Sequence, residues 1–509
     1  MIFHSAGKLD NKTEQNFFQE QVKIYIRLVE AFCEKNHIPF ETGAAGAAVE
    51  QDAVTAEMIR MGVIDGKEEL PLLEKAVRED YSRFRKAVAF AVSHKRELGG
   101  TLDKLSNQER KRIQREGAGK KGHTLVDFFC GAGGLSLGFR QEGFQVKLAN
   151  DIEDVCIRTY RYNHPELPSD RLIQGDIKQI VDHIGDYIRE DIDVVVGGPP
   201  CQGFSEANRQ RVIDDPRNKL YKYFLQAVEK IAPRFVVMEN VRGMLKVAQQ
   251  VVEDYESLKI RKNGKEYSYR VQYRLLNSQD FSVAQSRERL IYIAVRNDVM
   301  EDRKVTPRMI FDRIEEDCKG GRTFVLQDAL DDIRPLEAPR IKNQNETDSQ
   351  LTGKKIEGNP YEKNENAYLK LINQGRDIPY TFNHKARYLS DVNYEIYKRL
   401  APGDDATDEK IADIMPYAHR NHCFKDKYYK LHGDRPCRTI TAHLRMDCHS
   451  HIHPSQVRAL TPREAARVQS FPDDYLFLGA YLKTYMQIGN AVPPLMARGI
   501  ASVIRKYLE

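Results

Sequence analysis

The stretch DFFCGAGGLSLGF, from Asp127 to Phe139, contains the change of pattern that decides the fold. It continues an apolar run that begins at Leu125, and a helical segment starts near Leu135. An apolar run that stops at a glycine-rich turn and is followed by a helix is typical of the first strand of an α/β sheet. Glycines at such a turn let the main chain approach a ligand beyond the end of the strand.

Short apolar runs alternate with helical segments from residue 123 to about residue 300. Five of these runs are interpreted as strands: Leu125–Phe129, Val146–Ala149, Val194–Val196, Phe235–Met238 and Leu290–Val295. This alternation predicts a mostly parallel sheet with helices on its faces. We therefore expect a catalytic α/β domain at residues 123–300.

The residues before this sheet have a helical pattern only. Residues 13–35 and a second segment carry apolar side chains at helical spacing, namely Phe18, Val22, Tyr25, Ile26, Val29, Phe32 and Cys33, then Leu73, Val77, Tyr81, Phe84, Val88 and Val92. The glycine–alanine stretch at residues 43–48 predicts a flexible joint between the two. Residues 1–105 are thus expected to form a helical accessory domain, joined to the sheet by a basic linker at 106–122.

Charge and composition limit the classes of protein that fit. The net charge of the 509-residue chain is +5, and residues 104–122 carry seven Lys or Arg against two Glu. Such a segment suits a polyanion such as nucleic acid, although a solvated linker fits equally well. No apolar run is long enough to span a membrane and no secretion signal precedes the first helix. Eight cysteines without a C-x-x-C pair favour free thiols and a cytoplasmic location.

Glycine and acidic residues follow the first two strands, and a further acid lies beyond them, in an order that suits a nucleoside. Gly131 and Gly133 lie in the first turn, Asp151 ends the second strand, and Asp176 lies further on in Gly175-Asp176-Ile177. Carboxylates there can accept hydrogen bonds from ribose hydroxyls or an adenine amino group. The glycine spacing differs from G-x-G-x-x-G, so it does not support a dinucleotide-binding fingerprint. Ordinary turns and helix caps remain the alternative.

A thiol, a carboxylate and two cations lie at the boundaries of later strands. Cys201 lies in GGPPCQGFS (197–205), Glu239 ends the run FVVMEN, and Arg287 and Arg289 precede the last strand. A cysteine after two prolines in a polar loop differs from a packing cysteine in an apolar run. The set suits covalent catalysis assisted by an acid and by positive charge.

These segments together resemble the DNA cytosine-5 methyltransferase family of bacteria and phages. The family's ordered blocks are matched by DFFCGAGG, the acid after strand two, GDI, GGPPCQGFS, ENV, QSRER, RALTPREAARVQSFPDDY and QIGNAVPP. The resemblance covers about residues 124–300 and 455–500. It implies a Rossmann-like sheet domain that depends on S-adenosylmethionine, a smaller target-recognition domain at 301–455, and a C-terminal segment at 456–509 that returns to the sheet.

The resemblance also implies a role for each catalytic residue. Cys201 would add to C6 of cytosine, Glu239 would hold the N3 and amino edge, and Arg289 would bind O2. Arg287 would steady the Cys201 loop or a nearby phosphate. Because these ring atoms are hidden in a stacked duplex, the base would be flipped out.

The residues implied to bind S-adenosylmethionine come from five blocks. They are Phe129, Gly131, Gly133, Asp151, Ile152, Asp176, Pro199, Asn490 and Val492. Asp151 occupies a position where glutamate is commoner in the family.

The region at 301–455 is polar, and residues 340–366 are expected to be a loop-like insert. Its candidate DNA contacts are Lys425, Lys427, Tyr428, Tyr429, Lys430, Arg435 and Arg438. Core packing is the alternative for at least half of the tyrosines. Histidines and cysteines crowd between His419 and His453, but they lack a paired Cys-x-x-Cys knuckle, so no metal site is assigned.

The expected partner is double-stranded DNA, with a cognate restriction endonuclease or with the enzyme acting alone, and a monomer is expected. Transfer RNA methylation is the second enzyme hypothesis. It is weakened because the family's Cys-Phe-Thr appears here as Cys423-Phe424-Lys425. An inactive DNA-binding relative is the third, and the presence of Cys201 and Glu239 gives it no support.

Overall fold

The computed structural model describes residues 3, 5–40, 51–95, 98, 122–200, 219–262, 264–318, 320–342, 347–358, 366–374, 379–416 and 427–509. Several predictions lie outside these residues. They concern the joint at 43–48, linker positions 106–121, Cys201, and the segment Cys423–Lys425.

The N-terminal residues form helices, as the apolar spacing predicts. Helix α1 spans Lys12–Lys35. Its N-cap is Asn11, whose side chain accepts a hydrogen bond from the Glu14 N–H. The second helical segment consists of three helices, α2 (Gln51–Met61), α3 (Leu70–Val77) and α4 (Tyr81–Ser93). Their apolar faces pack together in one core.

The central sheet has seven strands in the order β3-β2-β1-β4-β5-β9-β8. These are β1 (Thr124–Phe128), β2 (Gln145–Asp151), β3 (Leu172–Gln174), β4 (Val194–Gly197), β5 (Phe235–Val241), β8 (Tyr269–Asn277) and β9 (Glu288–Arg296). Neighbours from β3 to β5 are parallel, whereas β9 is antiparallel to both β5 and β8. The five predicted strands are confirmed, and β3 and β8 were missed.

Side chains that alternate along the inner strands pack into a core on each face of the sheet. Leu125 and Val194 contribute to one core, and Val126 and Val195 to the other. The described helices from the glycine turn to β9 are α5 (Gly134–Gln141), α6 (Asp154–Asn163), α7 (Ile177–Asp182), α8 (Ile184–Tyr187), α9 (Lys219–Ile231) and α10 (Ala248–Glu256). Burial on both faces explains why the inner strands are continuous apolar runs.

Two short ribbons lie apart from this sheet. Strands β6 (Ile260–Lys262) and β7 (Lys265–Tyr267) pair with each other, and β10 (Gly353–Gly358) pairs with β11 (Tyr380–Lys385). The expectation of a loop-like insert at 340–366 is therefore wrong for the residues of β10. Their apolar partners come from α1, which no local pattern indicates.

The remaining described helices follow β9. They are α11 (Asn297–Arg303), α12 (Pro307–Cys318), α13 (Leu326–Leu330), α14 (Ala367–Ile372), α15 (Asp391–Arg399), α16 (Pro462–Val468), α17 (Tyr481–Asn490) and α18 (Pro494–Leu508). A capping box of Thr461 and Glu464 starts α16. Within the described residues, no helix is both long and apolar enough to cross a membrane.

The last helix packs on the first helix of the sheet region. A Cβ added to Gly138 in α5 would lie 2.5 Å from the Ala497 Cβ and from the Pro494 oxygen of α18. A glycine is therefore required for this close approach. The contact brings the end of the chain beside the glycine turn after β1.

Candidate active site

The candidate site lies where the strand order reverses, between β1 and β4. The loops that follow these two parallel strands diverge, which leaves a crevice at the carboxyl edge of the sheet. Phe129 follows β1 and Pro199 follows β4 at this edge. Strand β5 ends at the same edge, and the antiparallel β9 begins there.

The glycine turn supplies open space at one position and close packing at another. Phe129 and Gly131 have φ angles of 57° and 52°, in the left-handed region. No described atom lies within 4 Å of a Cβ added to Gly131. A Cβ on Gly133 would instead lie 2.7 Å from His164 Nε2 and 2.9 Å from the Tyr475 hydroxyl. Gly131 therefore borders the crevice, whereas Gly133 serves packing.

Asp151 at the end of β2 holds the glycine turn. Its two carboxylate oxygens accept hydrogen bonds from the Gly131 N–H at 2.9 Å and the Glu153 N–H at 2.8 Å. Burial raises the pKa of Asp151, and these two bonds oppose the rise. Ile152 is 66% exposed, so an apolar surface lies next to this carboxylate.

Asp176 is exposed and caps α7, where its side chain accepts a hydrogen bond from the Lys178 N–H at 2.9 Å. Its loop is held by Asn150, which sequence reasoning missed. The buried Asn150 amide donates to the carbonyls of Ile173 at 3.0 Å and Gly175 at 2.9 Å. A polar side chain inside an apolar strand was the signal for it, because a buried amide needs partners.

A buried chain of hydrogen bonds connects the Asp127 carboxylate of β1 to hydroxyls of α5 and α6. Ser136 donates to Asp127 at 2.6 Å, and the Tyr160 hydroxyl donates to Ser136 at 2.7 Å. Burial raises the pKa of Asp127 to about 7, while the bond from Ser136 lowers it. Asp127 is thus a structural acid, which the sequence analysis left unassigned.

Glu239 and Arg289 meet at the carboxyl edge. Glu239 Oε1 lies 2.8 Å from Arg289 Nε, and the side chains are 12% and 13% exposed. In the register of β5 and β9, Glu239 pairs with Ile291, so Arg289 is its diagonal neighbour on the same face. The structure therefore brings together a carboxylate and a guanidinium that the sequence separates.

The loop that leads to Cys201 is anchored beside this pair. The buried Asn240 amide donates to the Pro199 carbonyl at 3.0 Å. A Cβ added to Gly198 would lie 3.0 Å from Glu239 Oε2. Pro199 is buried and Pro200 is exposed, and Cys201 itself lies outside the described residues. The described part of the loop thus passes directly over Glu239.

Arg287 has a different environment from the one expected. It is 1% exposed, and its guanidinium donates to the carbonyls of Ile440 at 2.6 Å, Gly489 at 3.0 Å and Ala491 at 3.2 Å. Burial and the nearby Arg289 lower its pKa. A phosphate contact is wrong for this conformation, because the donors point at main-chain carbonyls away from solvent. Arg287 thus joins the start of β9 to the segment at Ile440 and to the end of α17.

Val492 lies beside the glycine turn, two residues after Asn490. Asn490 is exposed at the end of α17, and Val492 is buried. A Cβ added to Gly134 would lie 2.3 Å from the Val492 oxygen. The segment after α17 thus packs against the glycine turn at Gly134.

The candidate DNA contacts divide into core and surface residues. Tyr428 is buried, and the buried Lys430 donates to the carbonyls of Tyr397 at 3.2 Å and Leu400 at 2.8 Å. These two residues therefore stabilise the core. Arg438 lies 4.7 Å from the centre of the Tyr429 ring, in a cation–π contact.

Two described histidines of the same region, the half-buried His449 and the buried His453, contact other side chains. His449 stacks on Tyr428 at 4.5 Å and shares a 2.9 Å hydrogen bond with the Tyr397 hydroxyl. His453 lies 3.7 Å from Glu464, and burial lowers its pKa to about 4. Among the residues that the structure describes, no three His, Cys, Asp or Glu side chains are grouped as metal ligands.

Comparison with solved structures supports the fold. A crystal structure described as a DNA modification methyltransferase encoded within a prophage (E. coli) superposes with a TM-score of 0.57 at 23% identity. The match covers 76% of this chain and 99% of that one. At this identity the likeness concerns the Rossmann-like α/β fold alone.

Sequence comparison identifies the family. The chain is 32% identical over 397 residues to the Type II methyltransferase M1.HphI of Haemophilus parahaemolyticus, covering 75% of this chain and 87% of the relative. It is 30% identical over 440 residues to the Type II methyltransferase M.AgeI of Thalassovita gelatinovora, covering 75% and 98%. The family model of the C-5 cytosine-specific DNA methylases matches residues 123–506. The chain belongs to this family, whose members are DNA (cytosine-5)-methyltransferases.

Proposed function

We propose that the enzyme methylates cytosine at C5 within a short, specific sequence of double-stranded DNA, through a covalent bond between Cys201 and C6. The observation that carries this proposal is the Glu239–Arg289 pair, 2.8 Å apart beside the loop that leads to Cys201. Membership of the family supplies the reaction. The described geometry supports the assignment of residues to its steps.

The pair complements one edge of cytosine. That edge presents an amino group, the N3 nitrogen and the O2 oxygen. The carboxylate of Glu239 accepts from the amino group, while Arg289 donates to O2. As the thiolate adds to C6, N3 takes a proton from water and Glu239 accepts a hydrogen bond from it; N3 returns this proton to water when the ring is restored. Protonation at N3 withdraws electrons from the ring, so it favours nucleophilic addition at C6.

Cys201 attacks the activated ring as a thiolate. A bond forms between its sulfur and C6, the C5–C6 double bond opens, and its electron pair makes C5 nucleophilic. After C5 has taken up the methyl group, a base removes the C5 proton. The electrons of that C–H bond restore the double bond and expel the thiolate, which leaves 5-methylcytosine and free Cys201.

The crevice fits S-adenosylmethionine, which supplies an electrophilic methyl group when bound. The open space over Gly131 admits a ligand against the main chain, and the exposed Ile152 offers an apolar surface for a purine ring. Asp151 and Asp176 would hold ribose and adenine groups, since each carboxylate oxygen can accept more than one hydrogen bond. The further residues that we assign to this site are Phe129, Pro199, Asn490 and Val492.

We infer base flipping from the low exposure of the Glu239 and Arg289 side chains. Glu239 and Arg289 are only 12% and 13% exposed, and a base stacked in a duplex hides the edge that they would bind. The cytosine must therefore leave the stack and enter the crevice. We assign the choice of target sequence to residues 301–455.

The setting that we propose is restriction–modification. Both curated relatives above are named Type II methyltransferases. We infer that this chain acts as a monomer on DNA in the cytoplasm and protects sites that a cognate endonuclease cuts, or that it modifies DNA alone.

Bisulfite sequencing of DNA from cells that express the enzyme tests the proposal. We expect 5-methylcytosine at one short motif, and none with Cys201→Ala. DNA containing 5-fluorocytosine at the motif should trap the protein in a complex that survives denaturation, because fluorine at C5 cannot leave as a proton does. Methylation that persists in Cys201→Ala would exclude the covalent route. Unmodified DNA together with methylated transfer RNA would exclude DNA as the substrate.

A further inference from the structure

Residues 3–98 lie outside the segment 123–506 that the family model matches. Their longest helix, α1, nevertheless contacts two separate parts of the matched segment. One part is α6, which follows the cofactor strand β2. The other is the β10–β11 ribbon, within the region that we assign to target recognition.

The first contact consists of two ion pairs with α6. Arg161 donates through Nη1 and Nη2 to the two carboxylate oxygens of Glu14, at 2.8 Å and 2.5 Å. Its guanidinium also lies 4.5 Å from the centre of the Phe17 ring. Arg158 donates to Glu20 at 2.5 Å. All four charged side chains are largely shielded from water. The Arg161–Glu14 pair is bidentate as well as shielded, and such a pair fixes geometry more firmly than an exposed one does.

The second contact joins the other half of α1 to the ribbon. The Tyr380 hydroxyl donates to the Leu28 carbonyl at 3.1 Å, and Lys354 pairs with Glu34 at 2.5 Å. A Cβ added to Gly358 would lie 3.0 Å from the Ala31 oxygen. Ile356 and other ribbon residues share the apolar core of the N-terminal helices. The ribbon thus packs directly on the helix backbone.

Other elements also contact the two partners of α1. Helix α6 follows β2 in the seven-stranded sheet. The ribbon forms a separate two-stranded sheet, where Arg463 of α16 donates to the Phe382 carbonyl at 2.7 Å and Asn383 donates to the Phe477 carbonyl at 2.9 Å. Because α1 contacts both α6 and the ribbon, loss of its contact with α6 removes one support of the ribbon, while the central sheet itself stays intact.

We propose that α1 is a strut that sets the position of the target-recognition region relative to the cofactor crevice, with Glu14, Arg161 and Tyr380 as positioning residues. This inference rests on the proposed function, because it assigns the ribbon's region to DNA recognition. The strut determines how well DNA is bound, and it leaves S-adenosylmethionine binding and the chemical step unchanged.

Charge reversal in the full-length enzyme tests the strut. We expect Arg161→Glu to raise the KM for DNA about tenfold, with kcat and the Kd of S-adenosylmethionine within about twofold of wild type. The double variant Glu14→Arg/Arg161→Glu should recover most of the loss. Arg261→Glu is the matched control, because its pair with Glu266 is exposed and lies on β6 and β7.

Hydrogen exchange gives a readout that does not depend on methylation. Amides of β10 and β11 should exchange faster in Arg161→Glu and return toward wild type in the double variant, even if the enzyme proved to have another substrate. If Arg161→Glu does not fold, Tyr380→Phe decides: raised KM and faster exchange support the strut. Unchanged KM and exchange in the folded variant, or a loss of kcat without recovery, would overturn it.

Discussion

Glu239 Oε1 lies 2.8 Å from Arg289 Nε across the antiparallel strands β5 and β9. An ion pair this well shielded has two interpretations. It stabilises the edge of the sheet, or it holds two groups ready for one edge of a base. Substitutions that keep the shape and change the charge distinguish these interpretations.

Glu239→Gln removes the negative charge and keeps the size of the side chain. We expect kcat/KM for methyl transfer to fall at least about a hundredfold, because positioned acid–base groups contribute about 10² to 10⁴ in rate. Glu288→Gln is the control, since its carboxylate pairs with Arg242 on the surface. Radiolabelled methyl transfer to DNA measures both. A loss that stays within about threefold, or one that Glu288→Gln shares, would leave the pair a purely structural role.

Gly131 and Gly143 provide a matched test of the cofactor crevice. Both have positive φ, 52° and 88°, and no described atom lies within 4 Å of a Cβ added to either. Alanine at each position should cost about 1 kcal/mol of unfolding free energy through backbone strain. Only Gly131→Ala should weaken the binding of S-adenosylmethionine. We expect its Kd, measured by calorimetry, to rise about tenfold or more. Equal affinities of the two variants would contradict a ligand above Gly131.

Asn150 and Asn163 separate support of the crevice from general stability. Each side-chain amide donates to two main-chain carbonyls, those of Ile173 and Gly175 for Asn150 and those of Thr159 and Leu476 for Asn163. Either substitution by alanine leaves acceptors unpaired and should cost roughly 1–3 kcal/mol.

Only Asn150→Ala is expected to raise the Kd of S-adenosylmethionine, by about tenfold, because it frees the loop that carries Asp176. Urea unfolding and calorimetry on both variants measure the two effects. If Asn163→Ala raised the Kd of S-adenosylmethionine equally, the weaker binding in Asn150→Ala would arise from lost stability alone.

The sequence predicts the centre of the fold better than its edges. Strands such as Val194–Gly197 are buried on both faces, so their apolar runs are unambiguous. The two missed strands, Leu172–Gln174 and Tyr269–Asn277, are the outermost in the sheet. Only Tyr269 and Leu276 of the latter are buried, which leaves little apolar pattern.

The partners of charged residues were beyond prediction from local pattern. QSRER presents Arg287 and Arg289 alike, yet one binds three carbonyls from distant segments and the other pairs with Glu239. The pairs of Glu14 and Glu20 with α6 also join residues far apart in the chain. Motif order placed Glu239 and Arg289 at strand ends, whereas the contacts that position them depend on the tertiary fold.

Asp127 makes stability depend on pH in a predictable direction. It is fully buried in β1, accepts one hydrogen bond from Ser136, and has one carboxylate oxygen without a partner among the described residues. Burial raises its pKa to about 7, whereas an aspartate in an unfolded chain has a pKa of about 3.9. The native protein therefore keeps a proton on Asp127 over a range in which the unfolded chain has lost it.

Between about pH 4 and pH 7 the native state binds more protons at Asp127 than the unfolded state does, so this contribution to stability is lost as the pH rises. A separation of about 3 pKa units corresponds to roughly 4 kcal/mol. We expect Asp127→Asn, which cannot ionise, to gain stability relative to wild type by roughly 3 kcal/mol between pH 5 and pH 8, because about two of the three pKa units fall in this range. Urea unfolding of both proteins across this range measures the difference. A difference that stays constant with pH would mean that Asp127 is already ionised in the folded protein.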